Sequence, residues 1–253
     1  MIGSVFLGIT MKVYLNSTSN LGDFLNVLPV LSGIYKSLGN TTLTLIVKSD
    51  TRKFKGFKDF LMFQEVCDDV IYDDELTLTG QIRVISSWYR EEKNNPNRPI
   101  ETCRYENFFR DMHPDIKFEV DDNFKIKVKD LGFPVEDTYY GGDRWNGPNL
   151  DSRRASWTLA HLDGITFLDY NKSMMENAYI ISKSTKPFIS TFTGISVLAD
   201  LLGKEQYVLW GDDLKNWDNK PIEYSFEKHY YKDRGAKLMY LGDFKLESLH
   251  ENN

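Results

Sequence analysis

Residues 11–47 read MKVYLNSTSNLGDFLNVLPVLSGIYKSLGNTTLTLIV. The hydrophobic period changes twice within this segment. Residues 12–16 (KVYLN) are a short β-branched and aromatic run, and residues 17–23 (STSNLGD) break it with small polar residues and a glycine. From there Phe24, Leu25, Val27, Leu28, Leu31, Ile34, Tyr35 and Leu38 recur at helical spacing. Gly39 and Asn40 supply a stop, and residues 42–48 (TLTLIVK) return to a strand pattern. Strand, polar turn, helix, strand is the repeating unit of a parallel sheet. Pro29 falls inside the helical run, where its ring and missing N–H predict a kink.

The alternation continues in both directions from this unit. Residues 54–63 have a helical pattern, 69–72 a weak strand pattern and 82–86 a clear one. A polar, proline-bearing loop at 94–99 precedes a helix at 101–112, and residues 124–128 alternate like a strand. A second series starts near Asp137. Its strands fall at 138–140, 164–169, 187–190 and 206–210, its helices at 152–160, 173–182 and 194–202. The turn-rich stretch 141–151 (GGDRWNGPNLD) follows the first of these strands, and Gly203 closes the last helix. The expected fold class is therefore α/β, in two series joined at 129–136, with lobes at 1–132 and 133–253.

A chain of 253 residues with 41% hydrophobic content can bury a core in each of two small lobes. The formal charge of −6 offers no basic footprint, so bulk electrostatics weigh against nucleic acid and anionic membranes as partners. Cys67 and Cys103 are too few and too far apart for a disulfide framework or a zinc site, and they read as reduced thiols of a cytoplasmic protein. Residues 1–10 are apolar but short and lack a basic start, so they read as an extension before Met11 rather than a signal peptide. No apolar run approaches the ~20 residues of a membrane span.

Ligands of open α/β sheets bind beyond the carboxyl ends of strands, and three loops meet that description. In residues 17–23, Asp23 stands at the mouth of the first long helix. A carboxylate there either favours the helix N-terminus electrostatically or faces a substrate hydroxyl as general base. In residues 190–196 (STFTGIS), Thr193, Gly194 and Ser196 lead from a strand into a helix whose N-terminus suits a phosphate; the alternative is a plain helix cap. In residues 141–154, Gly142 is followed by Arg144, with Arg153 and Arg154 further on. Arginine's planar fork suits a diphosphate, and the alternative is a solvated loop. His113, His161, His229 and His250 show no spacing of a metal site or triad. The pairs Asp68-Asp69, Asp73-Asp74 and Asp121-Asp122 read as solvated loop ends, and Asp212-Asp213 could bind a divalent ion but has no further ligand set nearby. Trp88, Trp145 and Trp217 are either core residues or stacking platforms.

Together these pieces resemble a known family. Residues 11–47 are similar to the N-terminus of the ADP-heptose:lipopolysaccharide heptosyltransferases, which open with a strand, a small-residue turn, Gly-Asp and a helix holding a Leu-Pro-x-Leu step. Here that step is Leu28-Pro29-Val30-Leu31. Residues 192–212 (FTGISVLADLLGKEQYVLWGD) resemble the family's donor motif, a Thr-Gly turn, an apolar helix and a strand ending at glycine. The two matches stand in the right order and cover about a quarter of the chain.

The resemblance implies a GT-B-like architecture of two facing Rossmann-like lobes, and a glycosyltransferase moving a sugar from a nucleotide-diphosphate-sugar to an acceptor hydroxyl. It implies Asp23 as catalytic base, with Asn20 and Gly22 on the acceptor side. Thr193, Gly194 and Ser196, with Gly142 and Arg144, would hold the donor. It implies inversion and no cofactor or metal, the nucleotide-sugar being a co-substrate. The acceptor would be a saccharide or a hydroxymethylated base in DNA, and the acidic charge weighs against DNA. Two departures bear on the donor: Phe192 stands where the family commonly has Asp, and Val197 where a histidine is frequent. A smaller or less polar sugar than heptose follows from them. The competing reading is a non-catalytic nucleotide- or sugar-binding relative of the same fold.

Overall fold

The computed structural model describes residues 10–16, 20–77, 80–88, 95–142, 163–210 and 222–246. Two all-parallel sheets organise the chain. The first, in the order β3-β2-β1-β4, contains β1 (Thr10–Asn16), β2 (Thr42–Val47), β3 (Asp69–Tyr72) and β4 (Ile82–Ser86). The second runs β6-β5-β7-β8-β9, with β5 (Tyr139–Gly142), β6 (Ile165–Phe167), β7 (Phe188–Thr191), β8 (Gln206–Trp210) and β9 (Ala236–Tyr240). The helices are α1 (Leu21–Leu25), α2 (Leu28–Ser37), α3 (Phe57–Phe63), α4 (Ile100–Met112), α5 (Met174–Lys183), α6 (Gly194–Leu201) and α7 (Ile222–His229). Parallel neighbours need crossovers, and among the described residues helices supply them between β1 and β2, β2 and β3, β7 and β8, and β8 and β9. The architecture is the two-lobed α/β arrangement of a GT-B-type fold.

Most strands fall where period and β-branching place them. Two expectations are corrected, and two elements are added. The helix read from residue 24 to 38 is not one kinked rod: it breaks at Asn26 and Val27 into α1 and α2, with Pro29 in the first turn of α2. A proline is tolerated there because the first-turn N–H has no intrahelical partner to lose. Residues 124–128 do not form a strand. Phe124 and Ile126 are buried in alternation, as the pattern demanded, but their segment finds its hydrogen bonds elsewhere. The Gln64 side chain receives the Lys127 N–H at 2.8 Å and donates to the Lys127 carbonyl at 3.2 Å, while the Ile126 N–H donates to the Leu201 carbonyl at 3.0 Å. The added elements are α7 and β9. The strand of 138–140 extends to Gly142, and the expected helix at 152–160 lies outside the described residues.

One apolar cluster runs through both lobes. Val13 and Leu15 of β1, Phe24 and Leu25 of α1, and Leu28 and Leu31 of α2 belong to it together with Phe188, Ile195, Val197 and Leu198 from the second lobe. The lobes therefore share buried surface at α1 and α6.

Candidate active site

A doubly wound sheet opens a crevice where its strand order reverses. In the first sheet that point lies between β1 and β4, in the second between β5 and β7. Helix α1 follows β1 and helix α6 follows β7, and these two helices pack on each other. The two crevice edges thus meet along one seam.

On the second lobe, Thr193 is the N-cap of α6 in extended conformation. Its N–H donates to Ser196 Oγ at 3.2 Å; the Ser196 hydroxyl in turn lies 2.6 Å from the Thr193 carbonyl and 2.5 Å from the Tyr230 hydroxyl. Ser196 is 0% exposed, so its oxygen serves this network. Thr193 Oγ1 is buried and has no hydrogen-bond partner among the described residues. Gly194 abuts Leu21 and Gly22 of the other lobe. Gly142 is buried at the end of β5, and a Cβ there would strike Ile195 and Phe188, so close packing accounts for that glycine. Arg144, Arg153 and Arg154 lie outside the described residues, as do His161, His250, Trp145, Trp217, Asp212 and Asp213.

Phe192 fills the space beside this turn. Its ring stands edge-on to Trp210 at 5.1 Å, to Tyr230 at 5.9 Å and to Phe226 at 6.3 Å, and Phe226 stacks on Tyr230 at 4.7 Å. An aromatic wall therefore occupies the carboxyl ends of β7 and β8.

On the first lobe, Asn20 is the exposed N-cap of α1 and makes no side-chain cap bond. Asp23 sits in the first turn of α1, half-buried, and shares a helix face with Asn26 three residues on. Around that face three helices bring charges together. Glu101, in the first turn of α4, is 3% exposed. Ser87, just beyond β4, hydrogen-bonds it through its hydroxyl, Arg104 Nη1 lies 3.4 Å from its Oε2, and Lys228 Nζ of α7 lies 3.9 Å from the same oxygen. His229 Nδ1 lies 3.5 Å from Asn26 Nδ2, and the Thr102 hydroxyl donates to the Asn26 carbonyl at 2.9 Å. Burial, reinforced by the charge of Asp23, pushes the Glu101 carboxyl up. Burial pushes the His229 imidazole down to about 4, against the pull of Asp23.

Glu101, Lys228 and His229 were not found from sequence. Glu101 reads as an ordinary acid in a first turn. His229 reads as a lone histidine because its helix was missed, although Ile222, Phe226 and Tyr230 recur at i, i+4 and i+8. Asp23, Glu101 and His229 do not form a metal ligand set, and no group of three such side chains among the described residues does. Both cysteines are buried, and burial with Asp68 and Asp69 nearby pushes Cys67 up to about 12, which removes it as a nucleophile near neutral pH. Trp88, beyond β4, is 72% exposed. No helix among the described residues is long and apolar enough to cross a membrane.

No protein-family model matches the chain, and no curated protein matches it in sequence. Solved structures do match in fold. Heptosyltransferase II of E. coli, an ADP-heptose LPS heptosyltransferase, superposes with a TM-score of 0.56 at 10% identity, over 95% of this chain and 97% of the other. The E. coli heptosyltransferase WaaC with ADP gives 0.54 at 12% identity, over 91% and 93%. The chain spans 59% of the length of a longer protein, the iron-containing dodecameric glycosyltransferase TibC of enterotoxigenic E. coli, with 80% of its own length at 13% identity and a TM-score of 0.48. With its two parallel sheets meeting at α1 and α6, the chain has the α/β fold of the GT-B-type heptosyltransferases.

Proposed function

We propose that this protein is a metal-independent, inverting glycosyltransferase that moves a sugar from a nucleoside-diphosphate-sugar to a hydroxyl of a saccharide acceptor. The observation that carries the reading is the place of Asp23: a half-buried carboxylate at the reversal point of the first sheet, on the helix that packs against the Thr193–Gly194 turn. Asp23 takes the proton of the acceptor hydroxyl as its oxygen bonds to the anomeric carbon. The bond from that carbon to the diphosphate oxygen breaks, and the nucleoside diphosphate leaves with both electrons. The N-terminus of α6 and Arg144 stabilise the departing charge. The acidic charge of −6 disfavours a DNA acceptor and favours a saccharide.

The aromatic wall around Phe192 favours a donor sugar with a less polar face than heptose, because a carboxylate that would hydrogen-bond sugar hydroxyls is replaced by a ring. A second reading, a nucleotide-binding relative without turnover, is favoured by the engagement of the Ser196 hydroxyl inside the protein. A thermal-shift screen of nucleoside diphosphates and their sugars, followed by transfer and hydrolysis assays on whichever donors bind, separates them. Binding with turnover supports the enzyme, binding without turnover the relative, and no shift with any nucleotide removes both.

A further inference from the structure

Residues 113–138, between α4 and β5, contain no helix or strand, and a long irregular connector between two lobes is where a hinge is expected. A hinge needs backbone that is free to turn. Along residues 121–133 this connector is instead hydrogen-bonded to both lobes.

The first lobe holds it at successive places. The Asp121 N–H donates to the Pro29 carbonyl of α2 at 3.1 Å, and the Asp121 carboxylate accepts from Ser32 Oγ at 2.8 Å and Lys36 Nζ at 2.6 Å of the same helix. Arg98 grips the Asp122 carboxylate with two nitrogens, Nη2 standing 2.6 Å from Oδ2. Gln64, at the end of α3, bonds both backbone groups of Lys127. Gly33 of α2 permits the close approach, because a Cβ there would fall 2.0 Å from the Glu119 carbonyl oxygen.

The second lobe holds the same stretch before the chain has entered that lobe. Arg234 donates from Nη2 to the Asp122 carbonyl at 2.6 Å and from Nη1 to the Phe124 carbonyl at 2.8 Å. The Ile126 N–H donates to the Leu201 carbonyl of α6 at 3.0 Å, so the successive N–H groups of Ile126 and Lys127 are bound by opposite lobes. Phe124 and Ile126 are buried in the cluster that runs through both lobes. Further on, the Tyr179 hydroxyl of α5 donates to the Phe133 carbonyl at 3.2 Å. Away from the connector, the Met174 N–H of α5 donates to the Lys55 carbonyl, just ahead of α3, at 2.9 Å, and α1 packs on α6.

Rotation of the lobes about residues 129–136 must therefore break bonds at the connector, at Lys55 and at the α1–α6 seam together. We propose that the connector is a strut rather than a hinge: the lobes keep one relative orientation, and a nucleotide enters a crevice already formed, with no closure of one lobe on the other. Gln64 and Arg234 are the side chains that set it, each tying the connector's backbone with two hydrogen bonds. The inference goes beyond the proposed reaction and stands whether or not the protein transfers a sugar.

Pulsed electron-resonance distances on the full chain test it. Spin labels are placed by Asn40→Cys in the first lobe and Lys183→Cys in the second, both exposed positions, while the native Cys67 and Cys103 are buried. Distances are read without ligand and with millimolar ADP, GDP, UDP or CDP. The expected result is a single narrow distribution whose mean moves by less than about 2 Å with every nucleotide, below the size of a domain rearrangement. Two populations in the free protein, or a larger move with any of the nucleotides, overturn the inference. The double variant Gln64→Ala, Arg234→Ala should broaden the distribution by roughly twofold, as the connector regains backbone freedom. An unchanged narrow distribution in that variant overturns the role given to the connector. Should the double variant fail to fold, Arg234→Ala with Gln64 intact is measured in its place and read by the same criterion.

Discussion

Gly22 and Gly194 lie against each other across the seam between the lobes. A Cβ built on Gly194 falls 2.7 Å from the Gly22 nitrogen and 2.5 Å from Leu21 Cβ, closer than non-bonded atoms tolerate. A Cβ built on Gly22 meets Val197 Cγ2 at 3.4 Å, the Gly194 Cα at 3.5 Å and the Gly194 nitrogen at 3.9 Å, which is ordinary contact. The contact is thus asymmetric, and substitutions should be too. Gly194→Ala must push α1 away from α6, with a loss of about 1–3 kcal/mol, the usual effect of overpacking. Gly22→Ala should be neutral or stabilising, because alanine is the better helix former by up to about 1 kcal/mol. Melting temperatures of the two variants side by side decide it; equal losses contradict the geometry.

The same relationship changes how a Gly194 variant reports on ligand binding. Loss of nucleotide affinity in Gly194→Val is expected from separated lobes alone. A cleaner probe of the turn is Thr193→Val, which removes a hydroxyl that has no hydrogen-bond partner among the described residues. It should leave stability within about 0.5 kcal/mol, a typical change away from critical contacts, and weaken nucleoside diphosphate binding if that hydroxyl serves the donor. Unchanged affinity by calorimetry removes Thr193 Oγ1 from the donor site.

Asp23 is tested by Asp23→Asn. Asp23 is not the N-cap of α1, a position held by Asn20, so capping is not at stake and the melting temperature should change little. The amide cannot take the acceptor's proton, and turnover should fall by roughly 10²–10⁴-fold. Donor binding should persist, because the proposed phosphate contacts belong to the other lobe. Near-normal turnover removes Asp23 from the mechanism.

The alternation of period in residues 11–47 made the parallel α/β architecture legible, and Gln206–Trp210 and Ile82–Ser86 fall where β-branched and aromatic runs placed them. The polar nest around Asp23 was legible only in part. Asp23 announces itself by lying in a turn after a strand. Its neighbours Glu101 and His229 are 78 and 206 residues away in the chain, brought in by helices that pack across the lobes, and no local pattern encodes that meeting. Residues 124–128 misled for a related reason. Alternation reports which side chains are buried, and the Gln64 amide met the backbone of Lys127 in place of a neighbouring strand.

Phe192 lends itself to a packing test. Its ring touches Trp210, Phe226 and Tyr230 and is itself only partly buried. Phe192→Ala should cost about 2–3 kcal/mol, below the usual range for a fully buried phenylalanine because part of the ring is already in water. A loss under about 0.5 kcal/mol by urea denaturation would show that the wall does not support the fold.

Asp200 carries the last prediction. It lies within α6, 0% exposed, with Oδ2 accepting the Tyr231 N–H at 3.2 Å and Oδ1 without a hydrogen-bond partner among the described residues. Arg234 is the opposite charge that acts on it, but its guanidinium is committed to the carbonyls of Phe124 and Asp122 at 2.8 and 2.6 Å. Burial therefore dominates and pushes the acid up to about 7. An acid whose folded value exceeds its unfolded value binds more protons in the fold. Its contribution to stability is complete below about pH 4, falls as pH rises, and is lost above about pH 7, a change on the order of 4 kcal/mol. His229 runs the other way, since its lowered value makes the fold lose stability as pH falls below about 6.5. The two are separated by Asp200→Asn, which keeps an oxygen for the Tyr231 N–H and carries no charge at any pH. Urea midpoints at pH 4, 6 and 8 should show the variant close to wild type at pH 4 and progressively more stable than it toward pH 8. Parallel curves for the two proteins across that range would mean that Asp200 is charged in the fold at neutral pH, and that a partner for its Oδ1 must be sought outside the described residues.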